Sequence, residues 1–134
     1  MIEMLNRIQN RVGEVVAAQG EPPWVVRLVL TDEVVATLIC TPHGNSSRRH
    51  RHPDNDEFWV VMGGELRWEV EDEEPMLARN GDIMLVPKGK AHNIVTVSEE
   101  PALRLAIGIS DIPHVDSESG EVYSLGSGPG ARSN

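Results

Sequence analysis

The fold turns on one stretch, Gly44-Asn45-Ser46-Ser47-Arg48-Arg49-His50-Arg51-His52-Pro53-Asp54-Asn55-Asp56-Glu57. His50 and His52 are two residues apart, so on a strand both imidazoles leave the same face. Glu57 lies five positions beyond His52, an odd separation that on an unbroken strand would send it to the opposite face. Pro53 and the turn-forming run Asp54-Asn55-Asp56 break the strand and reset its register. Downstream, Pro87-Lys88-Gly89 forms a turn that aims His92 at the start of a later strand. Three imidazoles and one carboxylate suit a first-row divalent metal. His50, His52, Glu57 and His92 are therefore the candidate ligands, and His43 and His114 read as ordinary polar residues.

Short strands surround this stretch. Trp24 to Thr31 and Val34 to Thr41 are rich in Val, Leu and Ile and are separated by the turn Thr31-Asp32-Glu33. Glu57 to Met62, Glu65 to Glu71, Met76 to Arg79, Ile83 to Val86, His92 to Val97 and Leu103 to Ile109 follow, punctuated by Gly63-Gly64, Asn80-Gly81-Asp82 and Pro87-Lys88-Gly89. Leu66, Trp68 and Val70 alternate with Arg67, Glu69 and Glu71, the pattern of a strand with one wet face. Leu103, Leu105 and Ile107 alternate with Arg104, Ala106 and Gly108 in the same way. Many short strands at close spacing mean an all-β antiparallel sandwich or barrel.

At the N-terminus, Leu5, Ile8, Val12, Val15 and Val16 recur at helical spacing up to Gly20 and Pro22-Pro23, which predicts a short helix in residues 1–20 lying on the barrel. Residues 21–112 form the barrel itself. After Asp111 the chain turns polar and Gly/Ser-rich, so residues 113–134 are expected to be a largely flexible tail.

The chain of 134 residues carries a formal net charge of −9, which repels phosphate backbones and argues against nucleic acid as a partner. Arg48, Arg49 and Arg51 form a local basic cluster, better suited to a small anion or to local charge balance. Cys40 is the only cysteine, so no internal disulfide forms and a reducing, cytoplasmic setting is expected. Glu3, Arg7, Arg11 and Glu14 interrupt the N-terminal segment as a signal peptide, and no apolar run has the length of a membrane span.

Gly44 to Glu57, with Gly64 seven positions past the glutamate, resembles the first cupin motif, G(x)5HxH(x)4E(x)6G. Gly81-Asp-Ile-Met-Leu-Val-Pro87-Lys-Gly89-Lys-Ala-His92 resembles the second, G(x)5PxG(x)2H, with Thr96 where the family usually has Asn. The resemblance implies a double-stranded β-helix, or jelly-roll, barrel. It also implies one metal ion facing the interior on His50, His52, Glu57 and His92, and commonly a homodimer.

An octahedral ion with four protein ligands keeps two positions for substrate, water or dioxygen. Iron, manganese or nickel suits such a mixed nitrogen and oxygen set, whereas zinc would close tetrahedrally and serve structure. Strand parity selects the pocket. Arg48 shares parity with His50 and His52 and is expected to point inward towards an anionic substrate, with Arg49 and Arg51 outward. Trp59, Trp68 and Thr96 join it as candidate substrate-binding residues in a largely apolar pocket. These features suggest a dioxygenase-type oxidoreductase acting on a small organic molecule. The alternatives are a sugar or keto-acid isomerase or epimerase that polarises a carbonyl, and a non-catalytic binding protein. No helix-turn-helix pattern accompanies the barrel.

Overall fold

The computed structural model describes residues 4–109 and 114–123. One helix, α1 (Val12–Gln19), precedes eleven strands: β1 (Trp24–Leu30), β2 (Val34–Thr41), β3 (His50–Arg51), β4 (Glu57–Gly63), β5 (Glu65–Val70), β6 (Met76–Arg79), β7 (Ile83–Val86), β8 (His92–Thr96), β9 (Ala102–Ile109), β10 (His114–Asp116) and β11 (Val122–Tyr123). They form two antiparallel sheets. The first runs β1-β2-β9-β4-β7 and the second β11-β10-β3-β8-β5-β6. Face to face, these sheets make the all-β antiparallel architecture that the strand spacing predicts and the jelly roll that the resemblance implies.

The pleat determines what lies between the sheets. From the first come Ile39, Trp59, Val61, Val86, Ala102 and Ala106; from the second, Leu66, Trp68, Val70, Ala78 and Ile94. A second cluster covers part of the first sheet's outer face, where Met4 and Val15 pack on Val26, Leu28 and Leu38, with Leu103 and Leu105 against them. Strand β9 is therefore covered on both faces. Arg104 lies on its interior face, 1% exposed, and not on the wet face expected from its alternation with Leu103 and Leu105. Alternation reports that successive side chains part; it does not report which side meets water.

Two further expectations change. The helix begins only at Val12 and leaves Leu5 and Ile8 outside it. Asn6 explains the late start: it sits at φ 59°, and its side chain accepts from Leu30 N–H and donates to Leu30 C=O, both at 2.8 Å, clipping the segment along β1. At the other end, part of the expected flexible tail is ordered into β10 and β11, with β10 pairing directly with β3. Residues 124–134 of that expected tail lie outside the described residues.

Candidate metal centre

Strand β3 places His50 opposite His92 of β8. His52 follows just past β3, and its C=O accepts from Gly89 N–H at 2.8 Å. The loop that resets the register is fixed by a second tie, Asp56 Oδ1 accepting from Lys88 N–H at 2.9 Å. The break after His52 and the Pro-x-Gly turn are thus fastened to one another, which carries Glu57 to the start of β4, facing the histidines. Glu57 lies opposite Val86 of β7. Gly108 lies beside the Glu57 side chain, where an added Cβ would stand 3.9 Å from its Cγ.

The four candidate ligands converge. One ligand atom from each of His50, His52, Glu57 and His92 lies within 4.8 Å of all the others, and none of the four residues is more than 3% exposed. The histidine ring centroids stand 4.4 to 5.7 Å apart. His52 Nε2 meets Glu57 Oε1 at 2.7 Å.

The donor set fits a divalent ion. His50 Nδ1 lies 2.6 Å from Arg48 C=O and His92 Nδ1 lies 3.3 Å from Lys90 C=O. A carbonyl only accepts, so each bond keeps the proton on Nδ1 and the lone pair on Nε2, the arrangement usual for metal-binding imidazoles. Burial pushes the His50 pKa down, against the Arg48 carbonyl that raises it, which favours the neutral form a metal requires.

The interior beneath the ligands is aromatic and then polar. Trp59 packs edge-on against both His92 and Trp68, with centroids 5.5 Å apart in each pair. Thr96 is buried, and its hydroxyl meets that of Thr41 at 2.6 Å, bridging the two sheets. Arg104 Nη1 reaches Thr41 Oγ1 at 3.5 Å. Burial pulls Arg104 down to about 10, opposed by the Glu57 carboxylate, so it remains a cation at neutral pH. Trp59, Trp68 and Thr96 are inside as expected.

Arg48 is not. Its Nε lies 2.6 Å from Asp116 and its Nη2 lies 2.6 Å from Glu121, on a side chain 46% exposed. The expected inward parity fails because Arg48 precedes the two-residue strand β3, so the alternation does not extend to it. Arg49 donates to Asn93 Oδ1 at 2.7 Å. The basic cluster thus serves, in Arg48, as local charge balance for the C-terminal hairpin. The interior cation is Arg104, and its sequence signal, an arginine flanked by β-strand aliphatics, was indistinguishable from a wet-face residue.

The family of cupin domains (Cupin_2) matches residues 37–108. The chain belongs to it. An uncharacterized protein, YdbB of Bacillus subtilis (strain 168), is 42% identical over 43 residues, which are 32% of this chain and 38% of that one. Among solved structures, the DMSP lyase DddQ from Ruegeria pomeroyi DSS-3 superposes with a TM-score of 0.58 at 26% identity, over 68% of this cupin and 47% of the lyase. A protein from Klebsiella pneumoniae with a double-stranded β-helix domain superposes at 0.66 with 17% identity, over 89% of this chain and 97% of its own, a likeness of fold alone. This cupin spans less than half the length of either YdbB or DddQ.

Proposed function

We propose that this cupin is a metalloenzyme that acts on a small organic, anionic substrate, as a dioxygenase-type oxidoreductase. The observation that carries the reading is the convergence of four buried ligand atoms within 4.8 Å. One divalent ion on His50, His52, Glu57 and His92, with iron, manganese or nickel preferred to zinc, would supply a Lewis acid with positions for substrate and dioxygen. The chain's own residues do the rest. Trp59 and Trp68 exclude water beside the ligands, and the Arg48 and Lys90 carbonyls orient two of the imidazoles. Arg104 supplies positive charge for an anion.

A second, non-redox reading is favoured by the likeness to a DMSP lyase. In it the same site promotes an elimination or isomerisation without oxygen. Metal analysis of the purified protein, followed by oxygen-electrode assays with catechol-like, diketone and thiol substrates, tests the pair. Oxygen uptake dependent on iron supports the first. Turnover that persists anaerobically with zinc or magnesium supports the second, and bound metal with ligand binding but no conversion would leave only a binding protein.

We also infer a homodimer in the cytoplasm. Phe58, Ile83 and Leu85 are exposed on the outer face of β4 and the edge strand β7, the part of the sheet that the N-terminal cluster does not cover. A second copy of this face would cover it. Among the described residues no helix is long and apolar enough to cross a membrane.

A further inference from the structure

Strand β3 is two residues long and carries the first candidate ligand, His50. On one side it meets β8 at the register pair of His50 with His92. On the other side β10 pairs with both of its residues, Val115 with Arg51 and Asp116 with His50. A ligand on so short a strand takes its direction from whatever holds the residues around it.

Arg48 is the point of attachment. Its C=O lies 2.6 Å from His50 Nδ1, so the plane of the peptide after Arg48 decides where the imidazole points. Its side chain reaches the other way, Nε to Asp116 Oδ2 and Nη2 to Glu121 Oε1, both at 2.6 Å. One residue therefore holds the ring through its backbone and the hairpin of β10 and β11 through its guanidinium. The carboxylate it grips is itself fixed, because Asp116 Oδ1 accepts from Glu118 and Ser119 N–H at 2.9 and 2.8 Å. Ser117 N–H donates to Arg49 C=O at 3.4 Å, a further tie between the hairpin and the segment before His50.

The second imidazole is anchored elsewhere. His92 Nδ1 faces Lys90 C=O, and the next residue, Ala91, is tied twice to Glu71. Its N–H donates to Glu71 Oε1 at 3.1 Å, and its C=O accepts from Glu71 N–H at 2.8 Å. None of these groups belongs to the hairpin, so the two rings have separate supports.

We infer that Arg48 is a positioning residue, through which the C-terminal hairpin sets the direction of His50 and with it the affinity of the metal centre. This deepens the proposed function and rests on a metal being bound there. An exposed ion pair adds little to the stability of a fold. One that orients a ligand is felt at the metal instead, where supporting partners are worth about 10–100-fold in affinity.

The test uses the full chain and cobalt(II) alone as the probe, a first-row ion suited to imidazole and carboxylate. Its dissociation constant is measured by competition with a chelator. Arg48→Met should weaken cobalt about tenfold, and Arg48→Lys, which keeps the charge without the fork, should fall between it and wild type. Asp116→Asn should cost about as much as Arg48→Met. The double variant should be no worse than the weaker single, since either change frees the same hairpin. Arg79→Met, which removes the exposed pair of Arg79 with Glu65 on β6 and β5, should leave the affinity unchanged. In metal-free, 15N-labelled protein the imidazole N–H signal of His50 should move or exchange faster in Arg48→Met, while that of His92 holds.

Wild-type affinity in Arg48→Met, or losses that add in the double variant, overturn the positioning role. So does equal movement of the His50 and His92 signals, which would report general loosening. Full cobalt uptake by both wild type and Arg48→Met with one affinity sinks this inference alone. Wild-type protein that takes up no cobalt sinks the metalloenzyme reading, and the inference falls with it.

Discussion

His50 and His92 are direct partners across β3 and β8, with ring centroids 4.4 Å apart and neither residue exposed. Each ring is oriented through Nδ1 by a backbone carbonyl two residues before it. His92→Ala or His50→Ala should abolish stoichiometric metal while the barrel stays folded. The loss of affinity should exceed the roughly 10–100-fold that residues merely supporting a ligand cost. Metal analysis after gel filtration, beside far-ultraviolet circular dichroism, checks both halves. Full metal content in His92→Ala would remove His92 from the ligand set.

Trp68 carries the middle of the interior. It is fully buried and touches Trp59 edge-on, so Trp68→Ala removes a large apolar surface and leaves a hole that neighbouring strands cannot close. A loss of about 3–5 kcal/mol is expected, read as a lower urea midpoint with little change in slope.

Gly64 is the motif glycine, and its environment says why no side chain fits. Its φ is +67°, and an added Cβ would stand 2.7 Å from Ala102 Cα and 2.8 Å from Pro101 C=O. Both are backbone and cannot step aside. Gly64→Ala should destabilise by more than about 1 kcal/mol, whereas Gly81→Ala, with open space around it, meets only the backbone strain. Urea melts of the two variants make the comparison.

The C-terminal hairpin should respond to acid. Asp116 is held well below the usual carboxylate range, first by Ser119 N–H and then by Arg48 and Glu118 N–H. A depressed native pKa means that the unfolded chain takes up the proton first. The contribution is therefore complete above the ordinary aspartate value of about 3.9 and is lost as pH falls below it. Chemical shifts of residues 114–123 should begin to collapse towards random-coil values below about pH 4. Asp116→Asn should show the loosened hairpin already at neutral pH, with little further change on acidification.

The dimer has its own check. Ile83 is 70% exposed on the edge strand β7, so Ile83→Glu should cost the monomer almost nothing and place a charge on the covered face. Sedimentation equilibrium should then show a shift from dimer to monomer. Wild-type protein that sediments as a monomer would dismiss the pairing outright.

The convergence of the four candidate ligands was legible because their spacing encodes direction: two histidines in phase, a proline break that resets the phase, and a Pro-x-Gly turn before the last. Arg48 and Arg104 were read the wrong way round, for one reason. Parity is a relative quantity, valid along an unbroken strand, and β3 is only two residues long. On β9 the alternation was correct but both faces are covered, so hydrophobicity did not mark the inside. The hairpin of β10 and β11 was invisible because backbone pairing and the ion pairs of Arg48 hold it, with Val115 as a single buried apolar side chain and no repeating apolar pattern. Asn6 delays the start of the helix through bonds to a strand 24 residues away, which no local period records.

Glu57 grows from one sheet and the histidines from the other or its continuation, so whatever the four residues grip acts as a rivet through both layers. Prising the barrel open would then require giving up the ion, and heat resistance becomes a gauge of occupancy. By mass action a ligand at a hundred times its dissociation constant adds about 2.7 kcal/mol to the native state. The same arrangement makes this end of the barrel loosest when it is stripped of metal, so chelation should lower the melting temperature.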